Sequence, residues 1–301
     1  MKIIFMGTPD FSIPSLKALF ESKHEVIAVV TAPDKQRGRG RKISYTPVKQ
    51  FALENNLPVL QPEKLKNNQE FVEQLKGFSA ELYVVVAFKI LPVEVFAIPP
   101  NGSFNLHASL LPKFRGAAPI QWALINGETE TGLTTFKLAE KVDTGNIYFQ
   151  EKVEIFREDN FGTLHDRLSE IGAELVLRTV NLIEADKFEL IKQDDSLASP
   201  APKITKEVAL IDWNKPANTI HNLIRGLSPI PGAYFVFRGK VIKVYRSEVI
   251  EKDDLKPFEI HQTKTELIIG CSYNALRILE LQQEGKKRMG IEEFLRGFSF
   301  M

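Results

Sequence analysis

The feature that most restricts what this chain can become is the rhythm of its first half, in which short apolar runs alternate with stretches of helical spacing. Residues 2–6 and 25–31 read as buried strands. Between them, residues 11–22 set Phe11, Ser15, Leu19 and Ser22 on one helical face, with Ile13, Leu16 and Phe20 beside it. Thr46-Pro47 is a cap followed by a first-turn proline and opens a helix toward Asn55. Residues 82–87 are apolar throughout, as in a strand covered on both faces, and residues 103–107 form another short strand. Strands alternating with helices imply βαβ units with right-handed crossovers, hence an α/β fold around a mostly parallel sheet. In such open sheets ligands sit beyond the carboxyl ends of the strands.

The pattern changes after residues 161–186, a long helix. Residues 192–205 contain Asp194, Asp195, Ser196, Ser199, Pro200 and Pro202 and read as a linker. Beyond it, short strands at 233–237, 240–249, 266–270 and 275–282, with a hairpin turn at Phe237-Arg238-Gly239-Lys240, suggest a small barrel. The expected organisation is a first domain over 1–191, the linker over 192–205 and a second domain over 206–301.

Several classes are excluded early. With 44% hydrophobic residues among 301, the chain has enough apolar mass for a core, so disorder throughout is ruled out. A net charge of +1 rules out a uniformly basic nucleic-acid coat, and any such site must come from local clustering. The single cysteine, Cys271, allows neither an intrachain disulfide nor a Cys-rich zinc site; it reads as a packed strand residue and fits a reducing cytoplasm. Four apolar residues before Gly7 are too few for a signal-peptide core, and the longest apolar run, residues 82–88, falls far short of the roughly 20 that a membrane span needs. A soluble, cytoplasmic protein is expected.

Other signals are negative. Gly7-Thr8-Pro9-Asp10 follows the first strand, but G-x-G-x-x-G and G-x-x-x-x-G-K-[ST] are both absent and Pro9 removes a backbone donor, so a plain strand-to-helix turn is the reading. His24, His107, His165, His221 and His261 show no H-x-x-x-H or H-E-x-x-H spacing, so no metal site is expected. No G-x-S-x-G occurs.

Chemistry concentrates in residues 105–120. Asn105 and His107, two apart at a strand end, share one face, while Leu106 points the other way into the core. Asp143 follows in Lys141-Val142-Asp143-Thr144-Gly145, a loop from which a carboxylate can reach back to an imidazole. Taken singly, each also reads as structural: a strand-end histidine, an asparagine before a turn, an aspartate in a Thr-Gly turn.

Together with their surroundings they do not read singly. N-x-H-x-S-L-L-P at 105–112, R-G-A-A-P-I-Q at 115–121 and D-T-G at 143–145 resemble the 10-formyltetrahydrofolate-dependent formyltransferases. So do F-x-G-T-P-x-F at 5–11, G-R-G at 38–40, I-D-W at 211–213 and G-K-K-x-M at 285–289. The likeness spans nearly the whole chain and is strongest to the branch acting on methionyl initiator tRNA. It implies a Rossmann-like formyltransferase domain followed by an OB-like β-barrel, and transfer of the formyl group of 10-formyltetrahydrofolate, as co-substrate and without a metal, to the α-amine of methionine. Asn105 would donate to the oxyanion of the tetrahedral intermediate. His107 would either stabilise that oxyanion when protonated or take the amine's proton when neutral, and Asp143 would orient and tune the imidazole. No covalent enzyme intermediate is needed. Ser109, Leu110, Leu111 and Pro112, with Phe88 and Ile90, would border the folate. At Phe88-Lys89-Ile90-Leu91-Pro92 the chain departs from the family, in which an aromatic residue, a glycine and one more residue precede I-L-P; here Lys89 replaces the glycine and the loop is shorter.

Two basic segments point to tRNA. Residues 34–42 carry Lys35, Arg37, Arg39, Arg41 and Lys42 against Asp34, with Gly38 and Gly40 between them; this is where the family has a tRNA-contacting insertion, expected to be disordered when free, with Arg39 as its first contact. Lys286, Lys287 and Arg288 form a second patch in a C-terminal region that, from Ile204 on, has 15 Lys/Arg against 12 Asp/Glu. No obligatory protein partner and no membrane are expected. The competing readings are a formyltransferase for an amino-sugar nucleotide, a formyl-folate hydrolase or dehydrogenase, for the latter of which 301 residues leave no room, and an inactive tRNA-binding scaffold.

Overall fold

The computed structural model describes residues 1–37, 42–186 and 188–300 and divides into two compact units. The first comprises residues 1–116, 132–153 and 165–200, and the second 117–131, 154–164 and 201–301. The division therefore does not run linearly along the chain, because two internal segments pack with the C-terminal strands.

In chain order the first half runs β1 (Lys2–Gly7), α1 (Ile13–Phe20), β2 (Glu25–Val30), β3 (Lys35–Arg37), β4 (Lys42–Ser44), α2 (Pro47–Glu54), β5 (Val59–Leu60), α3 (Gln69–Gly77), β6 (Leu82–Val86), α4 (Val93–Phe96) and β7 (Ser103–His107). It continues with α5 (Pro119–Ile125), β8 (Glu130–Lys137), β9 (Ile147–Glu154) and α6 (Phe161–Ala185). Seven strands form one sheet in the order β5-β2-β1-β6-β7-β8-β9. The pairs β5-β2, β2-β1, β1-β6 and β6-β7 are parallel, and β7-β8 is antiparallel. The parallel strands read as unbroken apolar runs because both faces are covered: every residue of β6 is buried. On one face Ile4, Met6, Val30, Tyr83 and Val85 pack with Phe71, Val72 and Leu75 of α3. On α6, Gly172 lets the helix approach the sheet, since a Cβ there would meet Leu106 Cδ2 at 2.7 Å.

Local chemistry explains the boundaries. Thr46 Oγ1 accepts from Lys49 N–H at 3.1 Å and Pro47 occupies the first turn of α2. The expected single helix over 11–22 is a 3₁₀ turn, Asp10–Ser12, followed by the shorter α1, because Ser12 Oγ turns back to the Pro9 carbonyl at 2.6 Å. Gly7 at the end of β1 has no room for a side chain: a Cβ would meet Ser12 Cβ at 2.8 Å, which accounts for a glycine in a plain tight turn.

The second unit adds α7 (Lys206–Ala209), α8 (Ala217–Gly226), β10 (Ala233–Phe237), β11 (Lys240–Ile250), β12 (Ile260–Gln262), β13 (Leu267–Gly270), β14 (Ala275–Gln283), β15 (Met289–Gly290) and α9 (Ile291–Gly297). Its strands form an antiparallel sheet, β10-β11-β14-β13-β12 with β15 on β14, and β11 slips register between Val244 and Ser247. Such bulges increase local twist and let a sheet bend toward a barrel. The I-D-W segment is part of this architecture. Ile211 and Trp213 are buried in its core and Ile211 N–H donates to the Tyr234 carbonyl at 2.7 Å. In G-K-K-x-M, Gly285 supplies φ +77° for the turn that returns the chain to β15.

Candidate active site

The site grows from the carboxyl end of β7. Its register, Asn105 opposite Val85 on β6 and opposite Phe136 on β8, seats these residues centrally in the sheet. Leu106 is buried, as alternation requires; Asn105 is half-buried, and His107 is buried at 6% exposure. Asn105 and Asp143 both border a cavity of about 90 Å³ whose apolar walls include Val85, Phe88, Ile90, Leu91 and Leu138. An adjoining hollow of about 550 Å³ shares Lys89, Ile90 and Leu91 and adds Lys66 and Glu94.

His107 is held on both sides. Nε2 lies 2.9 Å from the carbonyl oxygen of Phe114, which can only accept, so Nε2 carries the hydrogen. Nδ1 faces Asp143 Oδ2 at 4.0 Å, within ion-pair reach but too long for a hydrogen bond. The same carboxylate oxygen accepts the Gly116 N–H at 2.9 Å. Asp143 sits at φ +54°, a left-handed conformation that Asp tolerates better than most residues, and Phe114 at φ +60°. Gly116, at φ +129°, is where R-G-A-A-P requires a glycine.

Residues 192–200 are not a free linker. Arg115 N–H donates to the Ser199 carbonyl and Phe114 N–H to Ser199 Oγ, both at 2.9 Å, so this stretch runs beside the 112–116 loop. Gln193 is buried. Its Nε2 donates to the carbonyls of Asp143 at 3.0 Å and Gly145 at 2.7 Å, while its Oε1 accepts from Arg115 Nε and Nη2 at 3.2 and 2.7 Å. Arg115 Nη2 also reaches Asp195 Oδ1 at 2.7 Å. Gln193 was not visible to sequence reasoning: it lies in a Ser-, Asp- and Pro-rich stretch, and only the tertiary fold buries it.

Other expected residues are distributed differently. Ser109 and Leu111 are buried in the turn's own bonds: Ser109 Oγ donates to the Lys113 carbonyl at 2.6 Å, and Leu111 N–H to Thr134 Oγ1 at 3.1 Å. Among the described residues none of 109–112 borders the 90 Å³ cavity, whereas Phe88 and Ile90 do. Ser109 and Leu111 thus tie down this turn from within, while Leu110 and Pro112 are half-buried. Arg288 is engaged within the protein, with Nε and Nη2 on the two carboxylate oxygens of Glu280 at 2.5 and 2.6 Å and its guanidinium 4.4 Å from the Tyr245 ring centre. Lys286 and Lys287 are exposed. Lys35 is exposed on β3, which pairs antiparallel with β4, so the flanks of the basic segment are ordered as a ribbon. Arg39 and Arg41 lie outside the described residues, as do the side chains of Arg37 and Lys42. Among the described residues no group of three or more His, Cys, Asp or Glu could hold a metal, and no helix is long and apolar enough to cross a membrane.

Comparison with known proteins gives these observations a family. Residues 1–180 match the formyl transferase family profile, and residues 203–299 match that of the formyl transferase C-terminal domain. The methionyl-tRNA formyltransferase of Caldanaerobacter subterraneus subsp. tengcongensis is 51% identical over 299 residues, 99% of this chain and 97% of that protein. Among solved structures, HypX from Aquifex aeolicus in complex with tetrahydrofolic acid superposes with a TM-score of 0.68 at 18% identity, over 98% of this chain and 47% of HypX, so the chain spans about half that protein's length. The sugar 3N-formyl transferase WlaRD, solved with dTDP and 5-N-formyl-THF, superposes with a TM-score of 0.70 at 20% identity, over 95% and 99% of the two chains. Two family profiles matched in order, and half of all positions shared with a full-length relative, place this chain in the formyl transferase family, among the methionyl-tRNA formyltransferases.

Proposed function

We propose that Asn105, His107 and Asp143 carry out transfer of the formyl group of 10-formyltetrahydrofolate to the α-amine of methionyl initiator tRNA. The observation that carries this reading is the convergence of an amide and a carboxylate on one cavity at the carboxyl end of β7, with a buried imidazole 4.0 Å from that carboxylate. The donor's ring system lies against Phe88, Ile90 and Leu138, and Lys66 and Lys89 suit the carboxylates of a folate tail.

The amine nitrogen attacks the formyl carbon and the carbonyl electron pair moves onto oxygen; that pair then re-forms the C=O as the bond from carbon to the folate N10 breaks, and the proton lost by the amine balances the one that N10 gains. Asn105 donates its side-chain N–H to the developing oxyanion, the kind of contact typically worth about 3–4 kcal/mol in a transition state. His107 uses Nε2 for the Phe114 carbonyl. A second proton on Nδ1 gives the ring an N–H toward Asp143, and in that state it supplies positive charge beside the reacting centre. This favours electrostatic stabilisation over proton removal by Nε2. Exposed Lys35, Lys286 and Lys287, with Arg37, Arg39, Arg41 and Lys42, follow the tRNA backbone.

The test supplies the full chain with 10-formyltetrahydrofolate and, separately, methionyl initiator tRNA, methionyl elongator tRNA and an amino-sugar nucleotide. Formylation of the initiator tRNA is expected. Turnover of the sugar nucleotide alone rejects the reading, and tRNA binding without any turnover replaces it with an inactive scaffold.

A further inference from the structure

We propose that Gln193 is a positioning residue for formyl transfer, the buried donor that sets where the Asp143 carboxylate stands relative to His107. The proposal rests on the role given above to Asp143. Every hydrogen-bonding capacity of the Gln193 amide is used: two N–H groups on the carbonyls of Asp143 and Gly145, and the oxygen on two guanidinium nitrogens of Arg115. The orientation is unambiguous, because a flipped amide would set its oxygen against two carbonyls and its NH₂ against a cation.

These bonds close a ring. Gln193 grips the Asp143 backbone on one side and Arg115 on the other, and Gly116, the next residue after Arg115, donates its N–H to Asp143 Oδ2. The carboxylate is thereby fixed from its own main chain and from the loop opposite. Asp143 at φ +54° occupies a conformation that its surroundings must hold. The separation of 4.0 Å from His107 Nδ1 makes placement matter, since about 1 Å decides between a hydrogen bond and a distant charge. A misplacement of that size in an active site typically costs about 10²-fold in rate.

The experiment uses the full chain with Gln193→Ala, Gln193→Glu, Asp143→Asn and the double variant Asp143→Asn/Gln193→Ala. Gln193→Glu keeps the shape and the Arg115 contact but has no N–H for the two carbonyls. Formylation is measured with 10-formyltetrahydrofolate and methionyl initiator tRNA, and hydrogen exchange of the Gly116 amide is followed independently of activity. Both Gln193 variants are expected to lose about 10- to 100-fold in kcat, with KM for either substrate changed less than about threefold and Gly116 exchange accelerated at least about tenfold. In the Asp143→Asn background, Gln193→Ala is expected to cost less than about threefold more, because its effect runs through the group already removed. Equal losses in both backgrounds, or Gly116 exchange unchanged in Gln193→Glu, overturn the proposal. Absence of turnover in the unsubstituted chain refutes the functional reading instead, and Gly116 exchange then decides the positioning alone.

Discussion

Replacing Gly145 by alanine tests the geometry of the site most directly, because the structure gives the size of the disturbance. A Cβ at Gly145 would lie 1.7 Å from the carbonyl oxygen of Lys137, 2.9 Å from its carbon and 3.2 Å from Phe136 Cδ2. Lys137 closes β8, and both it and Phe136 are paired with β7, so the strand cannot withdraw. The 143–145 loop has to move instead, by about 1.3–1.7 Å, to restore an ordinary contact with a backbone oxygen. That movement stretches the bonds from Gln193 to the Asp143 and Gly145 carbonyls, now 3.0 and 2.7 Å, and draws the Asp143 carboxylate from the Gly116 N–H. Overpacking of this kind costs about 1–3 kcal/mol of stability. A shift above 1 Å at a positioning carboxylate is expected to lower kcat about 10²-fold with smaller changes in KM. The assay is steady-state formylation of methionyl initiator tRNA beside thermal unfolding. Gly77→Ala is the control, since nothing lies within 4 Å of a Cβ there. A Gly145→Ala enzyme with unchanged kcat would refute the claim that the placement of this loop matters to the chemistry.

If the half-buried Asn105 amide is the proposed oxyanion donor, Asn105→Ala lowers kcat about 10²–10³-fold while the melting temperature moves little, as measured by turnover and calorimetry. Burial holds the His24 and His221 imidazoles below their ordinary range, and for His221 the Arg225 and Arg157 guanidiniums add to this. With folded values below unfolded ones, the unfolded chain binds more protons beneath about pH 6.5, so stability must fall as pH drops through that value. Melting temperatures between pH 7.5 and 5.5 should show this, and the double variant His24→Asn/His221→Gln should flatten the slope; an unchanged slope contradicts the assignment. Burial pushes the Cys271 thiol up to about 11, so a thiol reagent at pH 8 should leave the native protein unlabelled and react promptly in denaturant. Fast native labelling would show that the turn after β13, where Cys271 is buried, opens.

The division between what the residues announce and what the fold decides is visible element by element. Periodicity and punctuation were enough for β1, β2, β6, β7 and α6, since burial on both faces of a parallel sheet demands unbroken apolar runs and a long amphipathic helix carries its own repeat. The turn at Gly7 and the hairpin at Gly239 were legible for the same local reason. The shared face of Asn105 and His107 followed from strand alternation alone. The 192–205 stretch was read as a linker because its Pro, Ser and Asp content is that of a loop; composition does not reveal that a neighbouring loop exposes carbonyls and a guanidinium for Gln193 to satisfy. Nor does the S-L-L-P motif reveal that Thr134 on β8 accepts the Leu111 N–H and donates to the Ser109 carbonyl, because that partner lies more than twenty residues away.

By itself, then, the sequence determined the α/β architecture and which strand end brings Asn105 and His107 to one face, because these follow from local periodicity and residue chemistry. Tertiary structure alone decided which partners those side chains meet. Asp143 stands 4.0 Å from His107 only because Gly145 packs without a side chain against Lys137 and because a buried glutamine some fifty residues away holds the loop. Such hydrogen bonds join segments distant in sequence, and no local pattern encodes the distance between them.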